Sequence, residues 1–180
     1  LSFSPKETAT FWPPSGLFVA TLLLVPTSRW WIICLMALPP ELILDLHKGH
    51  PLIDGFMFYV GNVLEALVGA GLVRFLVSPF PSLYKLREVL GLFLFSAIGS
   101  TLISAFVGAQ VLTHFWGVKN FWMAMREWWI ADMLGVAVIA PLLLSWLVPG
   151  GLQFYKLSIR RRVEAALLVV LVLANGWFVF

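Results

Sequence analysis

The chain has 180 residues, of which 61% are hydrophobic and only 12% charged, with a mean hydropathy of +0.94. A soluble domain is about one-quarter charged, so an ordinary cytosolic fold is excluded; the apolar residues recur in runs near the roughly 20 residues that cross a bilayer. The net charge of +3 does not point to nucleic acid, because the basic residues lie in the gaps between apolar runs rather than along a stripe, where they act as topology signals.

The opening LSFSPKETAT is polar, lacks the basic-then-apolar order of a signal peptide and does not begin with methionine. Six apolar segments follow: A (11 to 25), B (30 to 46), C (56 to 78), D (89 to 115), E (121 to 147) and F (163 to 180). They predict an all-α, polytopic transmembrane helix bundle forming a single integral membrane domain over 1–180, with the lipid bilayer as its main partner. Segment A would rise about 22 Å as a helix, short of the roughly 30 Å hydrocarbon core, so it is expected to begin inside the membrane or beside other helices. Pro13 and Pro14 suit a first helical turn, with Ser15 and Gly16 following. Segment B carries Pro39 and Pro40, which are expected to kink or break it ahead of Glu41. Cys34 is the single cysteine, so no intrachain disulfide forms, and it reads as a small core residue.

Segments C and D are rich in small residues that let helix backbones approach closely in lipid: Gly61, Ala66, Gly69, Ala70 and Gly71 in C, and Ser96, Ala97, Gly99, Ser100, Ser104, Ala105 and Gly108 in D. Ser96, Ser100 and Ser104 recur every four residues and so share a helix face. Segment F ends the sequence inside an apolar run, which suggests a fragment.

The A/B, C/D and E/F connections hold eight basic residues, Arg29, Arg74, Lys85, Arg87, Lys156, Arg160, Arg161 and Arg162. The other side holds four, Lys6, Lys48, Lys119 and Arg126. The positive-inside rule assigns the first set to the cytoplasm and both ends of the chain to the outside. An outside N-terminus without a signal peptide suggests a preceding helix, and an outside C-terminus needs one more helix to reach a cytoplasmic domain.

In that orientation the polar residues of the segments gather toward the outer half. Asn62 and Glu65 lie one turn apart on C, Gln110 is on D, Asp132 follows Trp128 and Trp129 on E, and Glu41 and Trp12 reach a similar depth. These eight residues are the candidate lining of an outward-facing ligand pocket. Its three carboxylates against Arg126 suit a cationic or hydrogen-bond-donating ligand, or protons. The plainer alternative is that Asn62, Glu65 and Asp132 only join helices through hydrogen bonds of about 1 kcal/mol or less. Trp30, Trp31, Trp116, Trp122 and Trp146 read as interfacial anchors. His47 and His50, flanked by Asp45 and Asp54, have a spacing that zinc could use, but Lys48 and the lack of soft ligands favour a solvated turn. His114 reads as interfacial, and Arg160 to Arg162 as anchors for anionic headgroups. No phosphate loop, nucleophile elbow or metalloprotease pattern is present, so no cofactor, metal or catalytic residue is expected.

Three stretches carry a family resemblance: FWPPSG at 11 to 16, GNVLEALVGAGLVR at 61 to 74, and WWIADMLGVAVIAPLLLSW at 128 to 146. Their order, spacing and placement resemble the first membrane-associated sensor domain family, the eight-helix input domain found ahead of bacterial diguanylate cyclases, histidine kinases and related effectors. The resemblance implies six helices present of eight, a multi-pass location in the bacterial inner membrane, and a sensory input role in two-component or cyclic di-GMP signalling. The ligand or membrane-protein partner is then unknown, and a homodimer is one compatible assembly. The competing readings are a small-molecule transporter or substrate-binding membrane subunit, which discontinuous helices would suit, and a passive anchor.

Overall fold

The computed structural model describes residues 10–47, 49, 51–147 and 159, Asp45 by its backbone alone. Segment F, Lys6, Lys48, His50, Lys156 and the Arg160 to Arg162 run lie outside the described residues. Five helices account for segments A to E: α1 (Pro13–Leu24), α2 (Trp30–His47), α3 (Leu52–Val77), α4 (Leu86–Phe115) and α5 (Phe121–Leu147). The described residues include no strand. Helices α3, α4 and α5 are each long and apolar enough to cross a membrane.

Helix α1 is short for reasons written into its ends. Pro13 and Pro14 occupy its first turn, where their missing N–H groups leave no carbonyl unpaired, and Pro26 stops it after Val25 turns extended. Its twelve residues rise about 18 Å. The helix lies along α5 with α3 beside it. Its entry is marked by backbone contact: the Trp12 amide donates to the Ala131 carbonyl at 3.0 Å. A Cβ on Gly16 would run into the Gly135 carbonyl oxygen, and one on Gly135 into the Trp12 carbonyl oxygen. The two backbones therefore touch where the sequence has glycine.

Helix α2 passes through Pro39 and Pro40 without a break, so of the two expected outcomes the rupture does not occur. The helix is held to α3 on both sides of the prolines. Tyr59 donates to the Cys34 carbonyl at 3.0 Å before them, and Asn62 Nδ2 donates to Glu41 Oε1 at 2.7 Å after them.

Helix α3 ends in a widened turn at Val73–Val77, and α4 is widened over Leu92–Ser100. Such π-type turns rotate the residues that follow them. The wide stretch of α4 presses Ser96 and Ser100 against α3 at Gly69, where a Cβ would lie 2.5 Å from Ser100 Oγ. Ser96, Ser100 and Ser104 are all buried, as their spacing predicts.

One end of the bundle is organised by ionic caps. Arg74 is 8% exposed rather than a free loop charge; it donates to the carbonyls of Val25 at 2.9 Å and Leu23 at 2.7 Å, closing the C-terminus of α1, and stacks on Trp30 and Phe80. Glu88 Oε2 accepts from the amides of Ser82 and Leu83, both at 2.9 Å, and from Ser82 Oγ, holding a loop in which Leu83 has φ 62°.

The core is split. Val19, Leu22, Leu23, Ala66, Ala70, Leu92, Ala97, Val136, Ala140 and Leu144 form one apolar cluster toward the Arg74 end. Phe58, Ala109, Val111, Leu112 and Ala124 form a second, with Trp116 and Trp128 packed on it. Between them α1, α3, α4 and α5 contribute a layer of polar side chains.

Candidate functional site

That layer consists of Ser15 from α1, Glu65 from α3, Ser104 from α4 and Asp132 from α5. Glu65 and Asp132 are each 1% exposed, with Ser15 and Ser104 also buried. Ser104 Oγ donates to Asp132 Oδ2 at 2.7 Å. Glu65 is different. The side chains of Asp132, Ser104 and Ser15 face it within hydrogen-bonding reach, yet neither carboxyl oxygen nor the Ser15 hydroxyl meets a partner in good hydrogen-bond geometry. Burying a carboxyl group without bonds costs several kcal/mol, whereas an apolar residue of the same volume would cost nothing there. Glu65 therefore sits where a carboxyl group is costly, surrounded by the side chains of three other helices.

Glu65 stands thirteen residues after Leu52 and twelve before Val77, and Asp132 eleven residues into the 27 of α5. Glu65 is thus at the middle of α3, which begins four residues ahead of the apolar run from which segment C was drawn, and Asp132 is in the half of α5 that starts at Phe121.

Six of the eight expected pocket residues gather around this layer. Glu41 and Asn62 are paired one turn along α3 from Glu65, with Asn62 Oδ1 left unbonded. Trp12 is tied through its amide to Ala131, the neighbour of Asp132. Trp128, one turn before Asp132, has its ring seated on Gly108, where a Cβ would be 2.6 Å away, and packs 5.0 Å from the ring of Phe58. Its indole is also within reach of the Asp132 carboxyl.

The other two do not join. Trp129 is turned about 100° from Trp128 and donates to the Ile98 carbonyl at 3.0 Å on the exposed side of α4. Gln110, two residues past Gly108, is about 200° round the helix from the Trp128 contact, and offers its backbone carbonyl to Thr113 and His114. Both were expected at the site from depth alone, and depth does not specify helix face. Ser15 and Ser104 are the residues that sequence reasoning left out. The available signal was their type: hydroxyls on small-residue stretches that must pack against another helix.

Two further expectations are refined. Trp30 and Trp116, read as interfacial anchors, also bond within the protein. Trp30 Nε1 donates to the Leu22 carbonyl at 2.8 Å, and Trp116 Nε1 donates to Asp54 Oδ2 at 2.7 Å, joining the start of α3 to the end of α4. Trp31 and Trp122, at 63% and 74% exposed, do face outward. Asp54, read as part of a solvated turn, is buried in that contact, while His47 is exposed. The described residues contain no cluster of three or more His, Cys, Asp and Glu side chains able to hold a metal.

Among known proteins, the family model MASE1, membrane-associated sensor domain 1, matches residues 1–180. No curated protein and no solved structure matches the chain.

Proposed function

The chain belongs to the membrane-associated sensor domain 1 family, a membrane sensory domain typical of signalling proteins, and from that premise we propose that it detects its stimulus at the Glu65–Asp132 layer and relays it to a cytoplasmic effector of diguanylate cyclase or histidine kinase type. The observation that carries this reading is the unbonded Glu65 carboxyl at mid-depth among Ser15, Ser104 and Asp132. Intramembrane ionisable residues are functional by default, because they are costly.

A sensor needs two packings whose balance the stimulus biases. The polar layer joins four helices, so a change in how Glu65 is bonded alters the fit of α1 against α3 and α5. The movement has a route: nine residues further along α3, Arg74 grips the carbonyl end of α1. In the orientation favoured by the charge distribution, that grip lies at the cytoplasmic face of the bacterial inner membrane.

The test is the signalling output of the full-length protein in cells, measured for wild type, Glu65→Ala and Asp132→Ala at matched membrane levels. The reading expects both variants to lock or abolish the response, and unchanged output in both would sink it. The buried carboxyl pair also suits the transporter reading, in which the variants would change solute uptake while leaving signalling intact.

A further inference from the structure

The geometry points to a site for a bare monovalent cation, sodium or a proton, enclosed by Glu65, Asp132, Ser15 and Ser104. Three neighbouring oxygens have unmet bonding demand: both of Glu65 and the hydroxyl of Ser15. With Asp132 and Ser104 they make a set composed entirely of hard oxygen donors, which suits alkali cations and protons and not the thiophilic or imidazole-seeking metals. Two carboxyl groups also supply more negative charge than a dry interior tolerates uncompensated. A positive ion of atomic size meets both demands at once.

The occupant must be small. Glu65 and Asp132 are each 1% exposed, Ser104 2% and Ser15 5%, so an organic cation would have to part α1 from α5 at the Gly16–Gly135 backbone contact. α1 contributes Ser15, α4 Ser104, and α5 Asp132 and Trp128. On α3 the next polar group is Asn62, which engages Glu41 of α2. Among these described side chains no Lys, Arg or His acts on the pair, so compensation comes from outside the protein.

This inference takes the layer to be the stimulus site, but cation occupancy is measurable without any signalling output. The full chain, reconstituted in lipid nanodiscs, is unfolded thermally in sodium, potassium or choline chloride at one ionic strength, and then across pH at fixed salt. A ligand that binds only the folded state raises the midpoint saturably. For sodium, the wild-type midpoint rises with sodium and not with choline. Glu65→Gln, isosteric and uncharged, loses the dependence, and Ser15→Ala needs about tenfold more sodium, the effect of one lost ligand of ordinary strength. For a proton, the midpoint ignores sodium but follows pH, and Glu65→Gln removes that dependence. Should Glu65→Gln fail to fold, Asp132→Asn is read the same way. Wild type and variants responding alike to sodium and to pH would overturn the cation site, and a loss of signalling in Glu65→Ala would then still support a stimulus site of another kind.

Discussion

The contact between the Trp12–Pro13 turn and Gly135 can be tested by a single methyl group. In Gly135→Ala the new Cβ meets the Trp12 carbonyl oxygen, with the Trp12 carbonyl carbon at 2.7 Å and Pro13 N at 3.5 Å. These are backbone atoms at a proline pair and cannot swing aside as a side chain would. Relief therefore requires α1 to lift from α5, which also stretches the 3.0 Å bond from the Trp12 amide to Ala131. Overpacking costs about 1–3 kcal/mol and the hydrogen bond about 1, offset by about 1 for replacing glycine with alanine in a helix. The net expectation is a loss of about 2 kcal/mol. Gly71→Ala is the internal control, because a Cβ there meets nothing within 4 Å, leaving only the favourable propensity change of up to about 1 kcal/mol. The two variants should thus differ by about 3 kcal/mol, which for a chain of this size is on the order of 6–12 °C in unfolding midpoint. Thermal unfolding in nanodiscs, followed by circular dichroism or intrinsic tryptophan fluorescence, reads the difference. Gly135→Ala melting level with Gly71→Ala would refute the claim that α1 enters the bundle by backbone contact.

Arg74→Ala removes two charge-assisted bonds to α1 carbonyls and the stacking on Trp30 and Phe80; it should cost about 2–4 kcal/mol in the same unfolding assay. Arg74→Lys should recover less than half of that, because a single ammonium nitrogen lacks the planar fork that reaches the two carbonyls from separate nitrogens and stacks on the two rings; a lysine variant as stable as wild type would contradict the capping role. Glu88→Ala releases the amides of Ser82 and Leu83, so hydrogen exchange at those two positions should accelerate by about tenfold to a hundredfold while the α3 interior keeps its protection. Unchanged exchange there would show that the loop is held by something other than the carboxylate.

The helical segments were legible because lipid makes them so. Segment E coincides with α5, segment B ends within one residue of α2, and segments A, C and D differ from α1, α3 and α4 by at most four residues at an end. Glu65 and Asp132 were legible for the same reason, as charges interrupting apolar runs. The widened turns at Val73–Val77 and Leu92–Ser100 were not, since an i+5 bonding pattern leaves no trace in hydropathy. The continuity of α2 through Pro39 and Pro40 was also invisible, as were the bonds from Tyr59 and Asn62 of another helix that flank the prolines. Trp116 and Asp54 are 62 residues apart, too far for any local pattern to connect them.

In hydrocarbon each backbone N–H and C=O must be satisfied within its own helix, so an apolar run of the right length is a helix whatever surrounds it. The family landmarks are similarly local: FWPPSG with its short α1, and WWIADMLGVAVIAPLLLSW along α5. The faces those helices present to one another are a different matter. Packing in lipid is chosen by steric fit among small residues and by where polar groups can be matched, and both depend on residues distant in the chain. Gly135 is informative only once Trp12 lies against it, Arg74 is a cap only once α1 ends beside it, and Glu65 is an unmet acceptor only once Ser15, Ser104 and Asp132 surround it.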